Sequence, residues 1–186
     1  MKHLERDNRI LEHIGSFVIS FRPVMAQLFF GGRMSACTEV LTRLQNEGRI
    51  KSVAAFPGTR HKYYQLEARG ADEIARPHYR TRSLGETALN RHIALLWWCC
   101  LSGRQRYRLS EGDLAKVLGT EPPTGLHCIE RSSKAFAVCN VYPLAPKAVI
   151  KPVLGRIRKN IEEKLNDKRL REWVEAKQYQ FVILAE

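Results

Sequence analysis

The sequence predicts an α+β protein, with an N-terminal winged helix-turn-helix over residues 1–78 and a smaller α/β part, entered through a linker helix, over residues 79–186. Three observations lead there. Helical apolar stripes recur before residue 48, separated by polar or glycine-rich breaks. Two strand-like runs then flank a Pro-Gly pair, and past residue 120 further strand-like runs alternate with an amphipathic helix.

Residues 5–19 place Ile10, Leu11, Ile14, Phe17 and Val18 on one helical face. Ser20 is the expected N-cap of a second helix, with Pro23 in its first turn and Val24, Met25, Leu28 and Phe29 facing inward. "GGR" at 31–33 breaks that helix. Ser35 is then expected to cap a third, which buries Cys37, Val40, Leu41 and Leu44 and stops at Gly48. "RIKSVAAF" and "HKYYQLEA" read as the two strands of a hairpin, turned at Pro57–Gly58.

The polar stretch 76–86 reads as a linker. A helix from Glu86 to Leu101 is apolar nearly all round after His92 and is therefore expected to be buried. "LSEGDLAKVLG" at 109–119 reads as a short helix or loop, and "LHCIER" and "KAFAVCNVY" as paired strands. From Val153 a helix lines up Leu154, Ile157, Ile161 and Leu165, with Asn166 the expected cap of a continuation through Trp173. "YQFVILA" reads as a final, buried strand, and no internal repeat or low-complexity tract is present.

Lys and Arg number 31 against 19 Asp and Glu, a formal net charge of +12 spread along the whole chain. A field of that sign favours polyanions, with nucleic acid and an acidic membrane surface as the candidates. With 44% apolar residues the chain can bury a real core, which excludes disorder throughout. The five cysteines, Cys37, Cys99, Cys100, Cys128 and Cys139, form no C-x-x-C pair, and most sit among apolar residues as small core side chains do. "MKHLERDNRILEH" has no apolar signal segment, and the apolar run "IALLWWCCL" is too short to span a bilayer. A cytoplasmic protein is the expectation.

In a winged helix the third helix enters the major groove and the wing touches backbone or minor groove. The outward side chains here are Ser35, Thr38, Glu39, Thr42 and Arg43, with Arg33 just ahead to meet a phosphate. Hydroxyls bond phosphates, and Arg forks onto guanine. At the hairpin tip Thr59, Arg60, His61 and Lys62 supply donors. The alternative is a solvated helix face and a charged tip that only keep the domain in solution.

Other chemistries lack their residues. His127 and Cys128 with Cys139 do not have metal-ligand spacing, and no phosphate loop or nucleophile elbow occurs. The basic residues of the C-terminal helix are mixed with Glu162, Glu163 and Asp167, which suits water better than anionic lipid, so no membrane partner is expected. No cofactor or metal is expected either. Pairing of two copies would give affinity over two half-sites, through the run around Trp97 and Trp98 or through "QFVILA".

The run "ILEHIGSFVISFRPVMAQLFFGGRMSACTEVLTRLQNEGRI", the wing ending "YYQLEARGADEI" and the following "LNRHIALL" resemble the replication-relaxation family of plasmid and mobile-element proteins, over about residues 5–100. The resemblance implies a DNA-binding N-terminal half and a role in plasmid replication, DNA relaxation or mobilisation. It also implies a C-terminal portion similar to a restriction-nuclease core, which needs paired carboxylates on adjacent strands to hold a divalent cation. Where acids are wanted this chain has Thr124, Asn140 and Tyr142, while Glu130 is isolated and Lys147 lies beyond a proline. The expectation is a degenerate, non-catalytic core in a non-enzymatic binder of double-stranded DNA. The alternatives are a winged-helix transcriptional repressor, an adaptor for a relaxase or replication initiator, and a divergent metal-dependent nuclease.

Overall fold

The computed structural model describes residues 2–55, 60–100, 106–131, 135–143 and 150–184. The chain is mixed α+β and divides into two compact units, Met1–Leu96 and Trp97–Glu186. The division falls later than residue 78 because most of a helix at Glu86–Cys100, through Leu96, belongs to the first unit. Leu89, with Leu84 and Ile93, packs on Val18, Ile19, Ala55 and Tyr63.

In the first unit, α1 (Lys2–Phe17), α2 (Arg22–Phe30) and α3 (Met34–Asn46) precede an antiparallel ribbon of β1 (Ile50–Ala54) and β2 (Lys62–Leu66). Ile50 lies opposite Leu66 and Ala54 opposite Lys62. The stripes on α1 and α3 meet as expected: Ile10, Leu11, Ile14, Cys37, Leu41 and Leu44 share one core with Met25, Phe30, Ile50 and Leu66. The helix starts differ from expectation. Ser20 does not cap α2, because its backbone is spent in the ribbon, its N–H donating to Tyr64 O (3.0 Å) and its carbonyl accepting from Tyr64 N (2.8 Å). Its hydroxyl lies 3.0 Å from His13 Nε2. Phe21 holds the cap position without a side-chain bond, and Pro23 in the first turn removes one amide that would otherwise need a partner. Ser35 likewise falls inside α3, whose cap is Arg33. Leu28 is 41% exposed, since Ala26 and Phe30, four apart, take the inward row of α2.

The run read as a second strand through Ala68 ends at Leu66, and α4 (Ala68–Glu73) follows at once. The expected linker holds a single 3-10 turn at His78–Thr81. α4 can start there because Gly70 lies directly on the main chain of Arg49, whose carbonyl accepts from Glu67 N at 3.0 Å.

The second unit follows from α5 (Glu86–Cys100). Its sheet has the order β3-β4-β5-β6: β3 (Arg106–Leu109), β4 (His127–Arg131) and β5 (Phe136–Pro143) are antiparallel neighbours, and β6 (Tyr179–Leu184) runs parallel to β5. A parallel return needs a crossover, which α7 (Ile150–Lys164) and α8 (Lys168–Glu175) provide. Between β3 and β4, α6 (Glu111–Leu118) resolves the helix-or-loop choice: Ser110 accepts from Asp113 N at 3.1 Å, and Gly119 closes it with φ 66°. Leu114, Leu118, Val138, Leu170 and Tyr179 form the core.

Several details differ from the sequence expectation. Asp167, not Asn166, caps α8, accepting from Arg169 N at 2.8 Å and Leu170 N at 3.3 Å. The expected buried strand β6 is an edge, with Tyr179 buried and Ile183 41% exposed. Trp97 is 60% exposed, so α5 is not buried all round. On α7 the stripe is shallow, with Ile157 buried and Leu154 exposed. No helix among the described residues is long and apolar enough to cross a membrane.

The tightest backbone approach gives a stability test. A Cβ at residue 70 would collide with the carbonyl of Arg49. Gly70→Ala should therefore destabilise the chain by about 3 kcal/mol, the upper end of an overpacking cost, although alanine is the better helix former. The urea transition followed by far-UV circular dichroism measures this, and an unchanged midpoint would contradict the packing.

Candidate nucleic-acid interface

The buried row of α3, Cys37, Leu41 and Leu44, fixes which side chains point away from the unit. Ser35, Glu39 and Thr42 lie exposed on the other side, with Arg33 exposed just before the helix. Arg33 Nε donates to Phe30 O at 3.2 Å, which holds the stem of the side chain against the end of α2. Thr38 is half-buried, donating to Met34 O at 2.8 Å and accepting from Arg22 NH1 at 3.4 Å. Arg22, the first residue of α2, was not among the residues singled out from sequence. Its only signal was a basic residue ahead of Pro23, and the contact with Thr38 places its guanidinium beside α3.

Arg43 stands apart from the other α3 residues. Its guanidinium donates to Asp7 Oδ2 at 2.6 Å and to Glu47 Oε1 at 2.9 Å, and both bonds raise its pKa. Glu47 is held below the usual carboxylate range by the same contact. Arg43 thus ties α3 to α1 rather than standing clear in solvent.

On the ribbon, Arg60, His61 and Lys62 are exposed, and the ladder continues past β1 through Ala55 N donating to His61 O at 2.8 Å. Thr59 lies outside the described residues. The elements therefore set two exposed donor groups on the first unit: Arg33, Ser35 and Thr42 at α3, and Arg60, His61 and Lys62 on the ribbon.

In the second unit the positions singled out for missing acids converge. Asn140 Nδ2 lies 3.5 Å from Thr124 O and donates to Tyr179 Oη at 3.1 Å. Tyr142 Oη donates to Asn160 Oδ1 at 2.9 Å. Lys164, from the last turn of α7, donates to both Thr124 O (2.5 Å) and Tyr142 Oη (2.6 Å). Glu130 is bound by Arg106 Nε at 2.7 Å, and that guanidinium also stacks on the Trp98 ring. His127 Nε2 is 2.7 Å from Tyr179 Oη. Burial, with Lys164 nearby, pushes His127 down to about 4, so the neutral ring accepts the tyrosine proton. Cys128 sits opposite Cys139; the bond with Cys139 lowers the Cys128 thiol, but the bond with Cys99 and burial raise it on balance, and Cys139 is raised by its bond with Cys128 and by burial. Among the described residues no group of His, Cys, Asp or Glu is placed to hold a metal ion.

Compared with known proteins, the chain matches no protein-family model, no curated protein and no solved structure.

The buried His127 sets an acid limit on the second unit. Its folded pKa lies below the ordinary value of 6.5, so the unfolded chain takes up the proton first as pH falls. The stabilising contribution is complete above about pH 6.5 and is lost on the way down to about 4. Between pH 7 and pH 5 the loss should be about 2 kcal/mol. Trp97, Trp98 and Trp173 all lie in this unit, so tryptophan fluorescence during urea unfolding reports on it. His127→Gln should remove most of the pH difference; an equal difference in the variant would assign it to another group.

Proposed function

We propose that this chain is a non-enzymatic DNA-binding protein of a plasmid or other mobile element, acting in replication, relaxation or mobilisation, or in their control. On this reading α1–α3 and the β1–β2 ribbon are a winged helix-turn-helix, with α3 the groove-entering helix and the ribbon its wing. One observation carries the proposal: α3 buries Cys37, Leu41 and Leu44 and exposes Ser35 and Thr42, and a ribbon bearing exposed Arg60, His61 and Lys62 follows directly. Short hydroxyls on a helix and cations on an adjacent ribbon are the chemistry of groove and phosphate contact. The bridge from Ser20 to Tyr64 supports it too, by tying the ribbon to the segment between α1 and α2. The sequence resemblance described above supplies the biological setting.

Duplex binding should be strongly salt-dependent. If about 4–6 phosphates are contacted, log affinity falls against log salt with a slope on the order of −4 to −5. Arg60→Ala with Lys62→Ala should weaken all sequences alike and flatten the slope by about one to two units. Ser35→Ala or Thr42→Ala should change preference among sequences, by about 1–3 kcal/mol where a base edge is read. Salt-independent affinity, or no binding at low salt, would sink the reading.

The second unit is read as a nuclease-like core that does not cut. Its three antiparallel strands and parallel return support the likeness. The non-catalytic half of the reading rests on what fills the cluster: Asn140 and Tyr142 hold neighbouring side chains, Lys164 places an ammonium among the oxygens, and Glu130 is committed to Arg106. A divalent cation there would meet a charge of its own sign. Supercoiled plasmid incubated with excess protein and Mg²⁺ or Mn²⁺ should stay intact. Nicking that is abolished both by EDTA and by Glu130→Gln would reverse this conclusion.

A further inference from the structure

We infer that the second unit carries its own phosphate-contacting surface, the outer face of the N-terminal half of α7, and that this face lies along the backbone of duplex DNA; the inference rests on the chain being a DNA binder. α7 turns Ile157 inward, with Val153, Ile161 and Lys164 partly covered on the same side. The opposite side exposes Lys151, Gly155, Arg156, Arg158 and Lys159. No acid precedes Glu162 on the helix.

This arrangement runs against what would stabilise the helix alone. Cations favour the C-terminal end of a helix and acids the N-terminal end, yet here Lys151, Arg156, Arg158 and Lys159 precede any acid, and Glu162 and Glu163 fall in the last turn beside Lys164. Arg156 and Lys159, one turn apart, repel each other. Lys151 and Arg156 have no acid three or four positions away. Arg158 and Lys159 have Glu162 at 2.8 Å and Glu163 at 4.0 Å, but these pairs are highly exposed and weakly held. Gly155 sits mid-face, and a Cβ there would meet nothing within 4 Å, so packing gives no reason for a glycine. A bare backbone flanked by cations is open to a polyanion at close range. Local rules broken together on one face mark a surface kept for a partner.

The partner is nucleic acid rather than a membrane. A helix that lies on lipid needs an apolar face to insert, and the apolar side of α7 already meets its own unit. What remains outside the N-terminal half is four cations and backbone with two apolar side chains, Pro152 and Leu154, too few for a face that inserts into lipid, and the cations fit a row of phosphates.

The test compares two charge-matched variants of the full chain. One carries Lys151→Gln, Arg156→Gln and Lys159→Gln. The other carries Lys116→Gln, Lys168→Gln and Lys177→Gln, exposed cations of the same unit on α6, on α8 and just before β6. The first should flatten the salt slope of duplex binding by about two to three units, near 0.9 for each phosphate no longer neutralised. The second should change it by less than one. Equal flattening in both would reduce the effect to net charge and overturn the surface. A wild-type slope in the first variant overturns it while leaving the DNA-binding reading intact, whereas a wild-type chain that binds no duplex overturns both. Loss of binding to phosphatidylserine vesicles in the first variant, with DNA binding unchanged, would reassign the face to membranes.

Discussion

The first unit is organised around one buried guanidinium. Arg49, its side chain 7% exposed, lies between α3 and β1 and reaches Glu47 at 3.3 Å, Glu73 at 2.5 Å and Asp7 at 3.9 Å. Its carbonyl takes the amide of Glu67, and Gly70 rests on its main chain. One residue therefore joins α1, the end of α3, the entry to β1 and α4. A buried ion is tolerated only when its surroundings are nearly complete, and removing one partner is far more costly than the pair is worth. That demand holds the end of α3, through Glu47, against α1 and α4, while the buried row of Cys37, Leu41 and Leu44 sets the rotation of the helix. Arg43, bonded to the same Asp7, locks the rotation from the other side. The exposure of Ser35 and Thr42 follows from these inner contacts.

The second unit solves a similar problem with a lysine. Oxygens from Thr124 and Tyr142 gather near the ends of β4 and β5, and Lys164 closes them from α7. The neighbouring set of Asn140, Tyr179 and His127 is buried, and each hydroxyl or ring nitrogen there has a partner, which is the condition for burying polar groups cheaply. Both units thus use a cation of their own to hold together elements far apart in sequence. These two cations are structural, and they differ from the exposed bases of the ribbon and α7 in their surroundings rather than in residue type.

That difference explains what was legible beforehand. Periodicity located α1, α2, α3, the ribbon, β4, β5 and α7, because inside and outside follow directly from spacing. It does not say which outward residue meets another element, so Arg43 read as a surface base although Asp7 lies 36 positions away. The caps failed for a related reason. Ser20 has the chemistry of a cap, but strand pairing claimed its backbone first. The strand "RYRL" went unread because alternating arginines look solvated, whereas Arg106 is covered through Trp98 and Glu130. Thr124, Asn140 and Tyr142 were found by asking where carboxylates would stand. Lys164 escaped because a lysine on an amphipathic helix counts as surface until its acceptors are known.

The parallel pairing of β5 with β6 also bears on the order of events at the ribosome. The contacts that define the first unit close within residues 1–96, several of them between neighbours in the chain. The sheet of the second unit cannot be completed until Tyr179–Leu184 has been made, because that segment supplies an edge strand and a core side chain, Tyr179. Chains grow at roughly 5–20 residues per second and domains tend to fold as units. The helices and ribbon thus have seconds to settle while the open flank of β5 waits for its partner. During that interval the row of amides and carbonyls on β5, beside Val138 and Val141 that the finished fold buries, is open to pairing with another strand.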